Sequence, residues 1–365
     1  LLASSVAPSY SLPGFPITTI SLPAYEFDAK VIDALLDGYR KYVDSTPVPR
    51  IGISLNYNNN NGNLKDHSER IAPIIRAGGI VSILQNGSRG SNGTCKSIDR
   101  KGFGTVMTLQ SLSINLPRLA YQSNKDETYF RARLALMIKP ALAAMSMRKK
   151  GIADLIRKGM VPALANSTNF MQLVTTNILI NLTGAKESVY NILGYGANNN
   201  GIEILQKVLK TAVDVATEQG KHLGEDSVGI AMICDDSAER FASLDSDKYG
   251  KISLSSTQQN TPTYSQGLML NGKDLLLSDN NSSSVIKECI SIDKLLNGGL
   301  SVMLDVSDLP SNMEVKNAIE AASDLQFFRP SVKLMLCNTC GKRARTHSIE
   351  KCEFCKSPYL SQIRL

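Results

Sequence analysis

Tryptophan is absent from this 365-residue chain, and aromatic residues make up only 6% of it. Histidine occurs three times (His67, His222, His347), and the scatter assigns the three no common role. No run reaches eighteen apolar residues, so no transmembrane helix is expected. The opening stretch, LLASSVAPSYSLPGFP, has neither a basic n-region nor a long apolar h-region and reads as a poor signal peptide. It also lacks an initiating methionine, so it need not be the encoded start. No internal repeat at a fixed period is visible, and no aromatic-interleaved basic stretch offers a base-stacking platform. Hydrophobic residues make up 42% of the chain, enough for a substantial core, and the length fits two domains or one large one.

Seven cysteines are present, and four of them form pairs at Cys337-x2-Cys340 and Cys352-x2-Cys355. Each pair presents two thiolates on a tight turn, and four sulfurs can close a tetrahedron around Zn²⁺. A ribbon of about thirty residues has almost no core of its own, so a metal would supply its folding energy. Free thiols or an iron–sulfur cluster are the alternatives. Cys95, Cys234 and Cys289 stand alone and read as small buried hydrophobes. This cysteine usage fits a reducing cytoplasm better than a disulfide framework. With no secretion signal, the Asn-x-Ser/Thr triplets at Asn92, Asn166 and Asn181 are read as chance.

The net charge is +7, unevenly spread. Residues 331–365 hold seven Lys/Arg against two Glu, and residues 139–158 hold six against one Asp, so each segment carries +5. Residues 89–101 carry a further +3, which leaves the remainder at −6. This asymmetry suggests a polyanionic partner, with ordinary solvated faces as the competing reading.

Periodicity predicts helices over 28–43, 68–79 (broken at Pro73), 125–158 (kinked at Pro140), 185–193, 201–220 and 313–324. It predicts strands over 49–56, 80–84, 107–116, 173–182, 227–234, 300–306 and 332–336. YNNNNGN (57–63) reads as a loop in which nothing can be buried, and TQQNTPTYSQG and SDNNSSS also read as loops. Strands separated by long helices argue an α/β fold with a substantial parallel component.

LSINLPRLAY (112–121), a long helix and then INLTGAKESV (180–189) resemble, in this order, the anaerobic class III ribonucleoside-triphosphate reductases. AERFASLDSDKYG (238–250), LNGGLSVMLDV (296–306), VKLMLCNTCGKR (332–343) and TPVPRIGISLN (46–56) are similar to further segments of that family. Each piece is weak alone, but their order is specific and covers nearly the whole chain. The resemblance implies a partial or reduced ten-stranded α/β barrel of the glycyl-radical-enzyme type over 1–330. A zinc ribbon over 331–365 would follow it. It also implies Asn115 and Arg118 as nucleotide-site residues, with strand packing the competing role for Asn115.

Departures from the family pattern are equally informative. The finger-loop segment reads QNGSRG, with Ser88 at the place of the radical-carrying cysteine. A serine O–H bond is far stronger than a cysteine S–H bond, so Ser88 cannot supply the thiyl radical. Cys95, seven residues on, could substitute only if the loop were re-registered. MICD (232–235) stands in place of the family's phosphate-gripping turn, and AKE (185–187) in place of its LNE turn. The family's N-terminal regulatory domain and first barrel strands, and the glycyl-radical loop after the ribbon, are expected to be missing.

The resulting expectation is a catalytically inactive, ribonucleotide-reductase-like binding factor in the cytoplasm. It would hold structural Zn²⁺ at Cys337, Cys340, Cys352 and Cys355. It would bind a polyanion (RNA, ribosome or DNA) through Arg148, Lys149, Lys150, Arg157 and Lys158 and through Lys342, Arg343 and Arg345. Lys149, Lys150, Arg343 and Arg345 are all expected to be exposed. The alternatives are a working reductase, whole or fragmentary, and a nucleotide-binding regulatory pseudoenzyme. The family resemblance also allows a homodimer.

Overall fold

A computed structural model describes residues 18–57, 64–85, 108–160, 177–194, 199–225, 228–235, 237–250, 252, 262–277, 279–345 and 350–365. The chain divides into two units, one of residues 1–88, 269–290 and 302–365, the other of residues 89–268 and 291–301.

In the first unit α1 (Ala29–Ser45) starts where the Asp28 carboxylate accepts the Lys30 N–H at 2.9 Å. Its buried residues are Ile32, Leu36, Tyr39 and Val43, spaced to form one helical face. The Tyr39 hydroxyl, deep in that face, donates to the Ile51 carbonyl at 2.7 Å and accepts the Ile80 N–H at 3.0 Å. Burial pushes this phenol up to about 12, so it stays neutral and able to donate. It thereby ties α1 to the starts of β2 (Ile51–Tyr57) and β3 (Val81–Gln85).

These strands belong to a six-stranded sheet ordered β1-β2-β3-β10-β9-β7, with β1 Thr18–Pro23, β7 Leu268–Asn271, β9 Val302–Asp305 and β10 Phe327–Ser331. β1, β2 and β3 run parallel, and β10 pairs antiparallel with β3 but parallel with β9. The unit also holds α2 (Leu64–Arg76), α8 (Gly272–Leu277) and α10 (Asn312–Ala321). A full capping box between Ser311 and Glu314 opens α10. Ser68 on α2 donates to Glu320 on α10 at 2.6 Å.

The same unit carries a three-stranded antiparallel ribbon, β12-β11-β13, of β11 Lys333–Cys337, β12 Arg343–Ala344 and β13 Leu360–Arg364. Reciprocal backbone bonds between Val332 and Leu365 close its end at 2.9 and 3.0 Å.

The second unit is built on a four-stranded parallel sheet ordered β4-β5-β6-β8. Its strands are β4 Thr108–Asn115, β5 Asn177–Thr183, β6 Val228–Met232 and β8 Gly299–Leu300. Strands buried on both faces read as apolar runs, and all five residues of β6 are buried. Its helices are α3 (Leu116–Gln122), α4 (Glu127–Arg157), α5 (Ala185–Leu193), α6 (Asn199–Leu223) and α7 (Ser237–Tyr249). α9 (Asp279–Leu295) continues from residues of the first unit into residues of the second.

The α/β class and the parallel pairing are as the sequence implies. Three details differ. α2 starts at Leu64 and runs through Pro73, because buried Ile71, Ala72, Ile74 and Ile75 flank the proline and hold the helix despite the lost N–H. Tyr57 is only 1% exposed, so the stretch expected to bury nothing begins with a core residue of β2. SDNNSSS contributes the first turns of α9 rather than a loop; the buried Ile286, Cys289 and Ile292 provide the helical face that carries its polar beginning. The helix predicted over 125–158 is present as α4, with Pro140 inside it. No helix among the described residues is long and apolar enough to cross a membrane.

Candidate functional site

In the second unit, register places Ser113 opposite Asn181 and Asn115 opposite Thr183, while Asn181 also stands opposite Ala231. Alternation puts Ser113 and Asn115 on one face of β4, and Asn181 and Thr183 on the corresponding face of β5. A polar row therefore crosses the C-terminal ends of these parallel strands. In open α/β sheets this edge is where ligands bind.

Three carboxylates organise the row. Asp235, just after β6, accepts from the Ser113 hydroxyl, from Asn181 Nδ2 at 2.7 Å and from the Ser237 N–H at 2.9 Å. Asn181 also accepts the Ile233 N–H at 2.8 Å and is fully buried. Glu187, at the start of α5, takes the Ser265 N–H at 2.9 Å and its hydroxyl at 2.6 Å. Asp245, fully buried on α7, accepts from Asn115 Nδ2 at 2.8 Å, Arg118 Nε at 2.6 Å and the Tyr264 hydroxyl at 2.9 Å. Burial first, then the hydrogen bond with Tyr121, raises the Tyr264 phenol well above its usual range, so it remains a donor.

Asn115 has a second task. Its Oδ1 accepts the Arg118 N–H at 3.1 Å and caps α3. The two residues implied by the resemblance are thus brought together, but their donors are turned onto Asp245. About a third of the Arg118 side chain stays exposed, which leaves this guanidinium open to a further anion. Two buried carboxylates, Glu187 and Asp245, and the half-buried Asp235, all engaged by donors, make a rigid polar frame rather than free general bases. Cys234, read as a buried hydrophobe, is half-buried instead, its thiol 3.7 Å from the Gln266 carbonyl. Cys289 is buried as expected.

Sequence reasoning missed Ser113, Asn181, Asp235, Asp245 and Tyr264. The available signal was a polar side chain interrupting an apolar strand, as Asn181 does in NILINLT. It became visible as a site only through its partners on other strands.

In the first unit the four ribbon cysteines place their Sγ atoms within 4.8 Å of one another. Cys337 and Cys355 are 3.5 Å apart, and Cys340 and Cys352 are 3.6 Å apart. A tetrahedral zinc site with Zn–S near 2.3 Å has edges of about 3.8 Å, so the set fits a metal ion such as zinc. The backbone N–H of Cys340 draws the Cys337 thiol down to about 6, and the N–H of Cys355 likewise lowers Cys352. Both knuckles close alike, with Gly341 N–H on the Cys337 carbonyl at 2.9 Å and Lys356 N–H on the Cys352 carbonyl at 2.9 Å.

The basic residues divide. Arg148, Lys150, Arg157, Lys158 and Lys342 are exposed. Lys149 is not: its side chain is 15% exposed and pairs with the buried Glu225 at 2.8 Å. Helical spacing places it on the face of buried Met145 and Ser146. Arg343 and Arg345 are half-buried, and Arg343 Nη2 donates to the Val43 carbonyl. Lys333 and Arg364 both face Asp305, at 3.9 and 3.0 Å, so the ribbon presents less charge than its composition suggests. Ser88, Arg89, Cys95, His347 and the 89–101 segment lie outside the described residues.

A family model described as anaerobic ribonucleoside-triphosphate reductase matches residues 15–364. No curated protein matches the chain. Among solved structures, the anaerobic ribonucleotide reductase from Thermotoga maritima in complex with dATP and CTP aligns at TM-score 0.65 and 18% identity, covering 91% of this chain and 57% of that one. The same enzyme with dATP bound in the specificity site aligns at 0.64 and 17%, covering 91% and 58%. A further anaerobic ribonucleotide reductase aligns at 0.65 and 17%, covering 91% and 55%. The chain therefore spans a little over half the length of these proteins.

Proposed function

Because the chain belongs to the anaerobic ribonucleoside-triphosphate reductase family, we propose that it retains the family's fold while acting by binding rather than by thiyl-radical chemistry. The observation that carries this reading is Ser88, at the sequence position where the resemblance places the radical cysteine. Hydrogen abstraction from ribose needs a sulfur radical, and a hydroxyl cannot be oxidised to an equivalent species at comparable cost. Incubated anaerobically with an activating enzyme, a reductant and ribonucleoside triphosphates, the chain should yield no deoxynucleotide. Measurable turnover would restore the reductase reading.

The ribbon supports a structural role for Zn²⁺ held by Cys337, Cys340, Cys352 and Cys355. Metal analysis of the purified protein should give close to one zinc per chain. A reduced Cys₄ site is compatible with a cytoplasmic location.

The polyanion surface in this reading is the C-terminal part of α4. Arg148, Lys150, Arg157 and Lys158 are exposed there, although Arg157 also pairs with Asp154 at 2.6 Å. Four phosphate contacts would give a salt slope near −3.6 on a duplex, roughly a hundredfold loss of affinity between 50 and 200 mM salt. Double reversal of Lys150 and Lys158 to glutamate should abolish binding to RNA or DNA. Unchanged affinity would remove this surface from the proposal.

A second reading is favoured by the polar row at the ends of β4–β6, where the half-open Arg118 could take a nucleotide phosphate. It predicts thermal stabilisation by nucleoside triphosphates that is lost in Arg118→Met and untouched by the α4 reversals.

A further inference from the structure

Within the first unit, the ribbon, the end of α1 and the end of α2 enclose a cleft of about 290 Å³. Arg76, Lys342, Arg343 and Arg345 line it, and among the described residues the one carboxylate in its wall is Asp44. Asp44 is already engaged by Arg40 at 2.8 Å. Four cations thus share a concave wall with one carboxylate that is committed elsewhere and with Cys340, which belongs to the four-cysteine cluster.

The guanidiniums are incompletely used. Arg76 donates from Nη1 to Asn312 at 2.8 Å and from Nη2 to the Pro310 carbonyl at 2.5 Å, while its buried Nε has no partner among the described residues. Arg343 is anchored through Nη2 on the Val43 carbonyl, and its Nη1 is buried without a partner among the described residues. Arg345 makes no hydrogen bond or ion pair among the described residues, and its Nε and Nη2 are both buried and unsatisfied. Burial first, then the nearby Arg76, weakens its hold on the proton. Like charges held together away from water, with donors unmet, are unfavourable unless something negative joins them.

We propose that this cleft is a phosphate-binding site for a phosphate-bearing small molecule, with Arg345 as the residue that closes on the ligand. Arg76 and Arg343 are held in place by their backbone and Asn312 contacts, so they form a pre-set wall. Arg345 can turn toward an entering oxyanion without breaking a hydrogen bond to any of the described residues. Guanidinium forks match the tetrahedral oxygens of phosphate, and Lys342 adds a point charge at the rim. The volume sits at the lower end of small-molecule sites and suits a phosphate with a modest substituent. The proposal is independent of the polyanion reading, which rests on α4.

Isothermal titration at fixed ionic strength with inorganic phosphate, pyrophosphate, a nucleoside triphosphate, the phosphate-free nucleoside and a short RNA tests it. The full chain should bind the phosphate-containing small molecules and not the nucleoside. Arg345→Met should lose at least about tenfold in affinity, as expected when a charge-assisted fork is removed, and Lys150→Glu should lose none. Arg345→Met should keep its thermal midpoint and the cobalt–thiolate absorption of the ribbon. If it does not, Lys342→Met, an exposed rim position, gives the same readout. Absence of binding by phosphate and pyrophosphate at about 10 mM, weaker than any useful site, would overturn the proposal. So would binding of the RNA alone, or wild-type affinity in Arg345→Met.

Discussion

Asp245 and Arg118 stand 127 residues apart in sequence, yet the carboxylate takes Nε at 2.6 Å and Nη2 at 2.5 Å from the same guanidinium. The pair is asymmetric, with the Asp245 side chain fully buried and the Arg118 side chain 33% exposed. Removing the arginine strands a buried charge, whereas removing the carboxylate frees an arginine that can turn to water. Arg118→Met should therefore cost about 3 kcal/mol, and Asp245→Asn about 1–2 kcal/mol. Urea denaturation of both variants measures this. The reverse ranking would show that the carboxylate is held by Asn115 and Tyr264 rather than by Arg118.

Lys149 and Lys150 are sequence neighbours with opposite fates. Lys149 is bonded to Glu225, which also accepts from Ser146 at 2.9 Å; Lys150 is exposed. Lys149→Glu would face one largely buried carboxylate with another and should destabilise the second unit by about 3 kcal/mol or more. Lys150→Glu should stay within about 0.5 kcal/mol of the parent. Thermal denaturation distinguishes them, and similar midpoints would mean that Glu225 finds another partner.

Burial depresses the pKa of His67, only partly offset by Asp33 and Asp66. The ring is 3% exposed and neither nitrogen has a partner among the described residues. The ring is tilted against Tyr57, with centroids 6.0 Å apart and planes at 57°. The unfolded chain takes up a proton near pH 6.5 while the folded chain does so only at lower pH. The stability due to neutral His67 is therefore present above about pH 6.5 and lost as pH falls below it. The difference in urea midpoint between pH 7.5 and 5.5 should be smaller in His67→Phe than in the parent. An equal difference would show that carboxylates alone cause the acid sensitivity.

The sequence disclosed what local pattern controls. The helical faces of α1 and α4, the apolar β5 and β6, and the paired cysteines all rest on spacing within a short window, and all are present. It did not disclose β1 or β10, short strands defined by their neighbours, nor the Asn181–Asp235 and Arg118–Asp245 bonds, which join positions 54 and 127 apart. Charge counting failed for a related reason. Composition cannot tell a lysine that pairs with Glu225 from one that points to solvent.

The two knuckles of the ribbon make the last prediction. The turn after each Cys-x2-Cys needs a left-handed residue, and Gly341 supplies it at φ +71° in the first, Lys356 at φ +61° in the second. Glycine adopts this region freely, whereas a side chain costs about 1 kcal/mol there. Gly341 has a further constraint, since a Cβ would lie 2.9 Å from Pro47 Cγ. Gly341→Ala is thus strained twice, while Lys356→Gly relieves strain and clashes with nothing. If the ribbon folds around a metal, these changes must appear as metal affinity. Chelator competition should show Gly341→Ala releasing zinc at least about tenfold more readily than the parent, and Lys356→Gly holding it up to about fivefold more tightly. Equal retention in all three proteins would mean that the knuckle backbone does not limit metal binding.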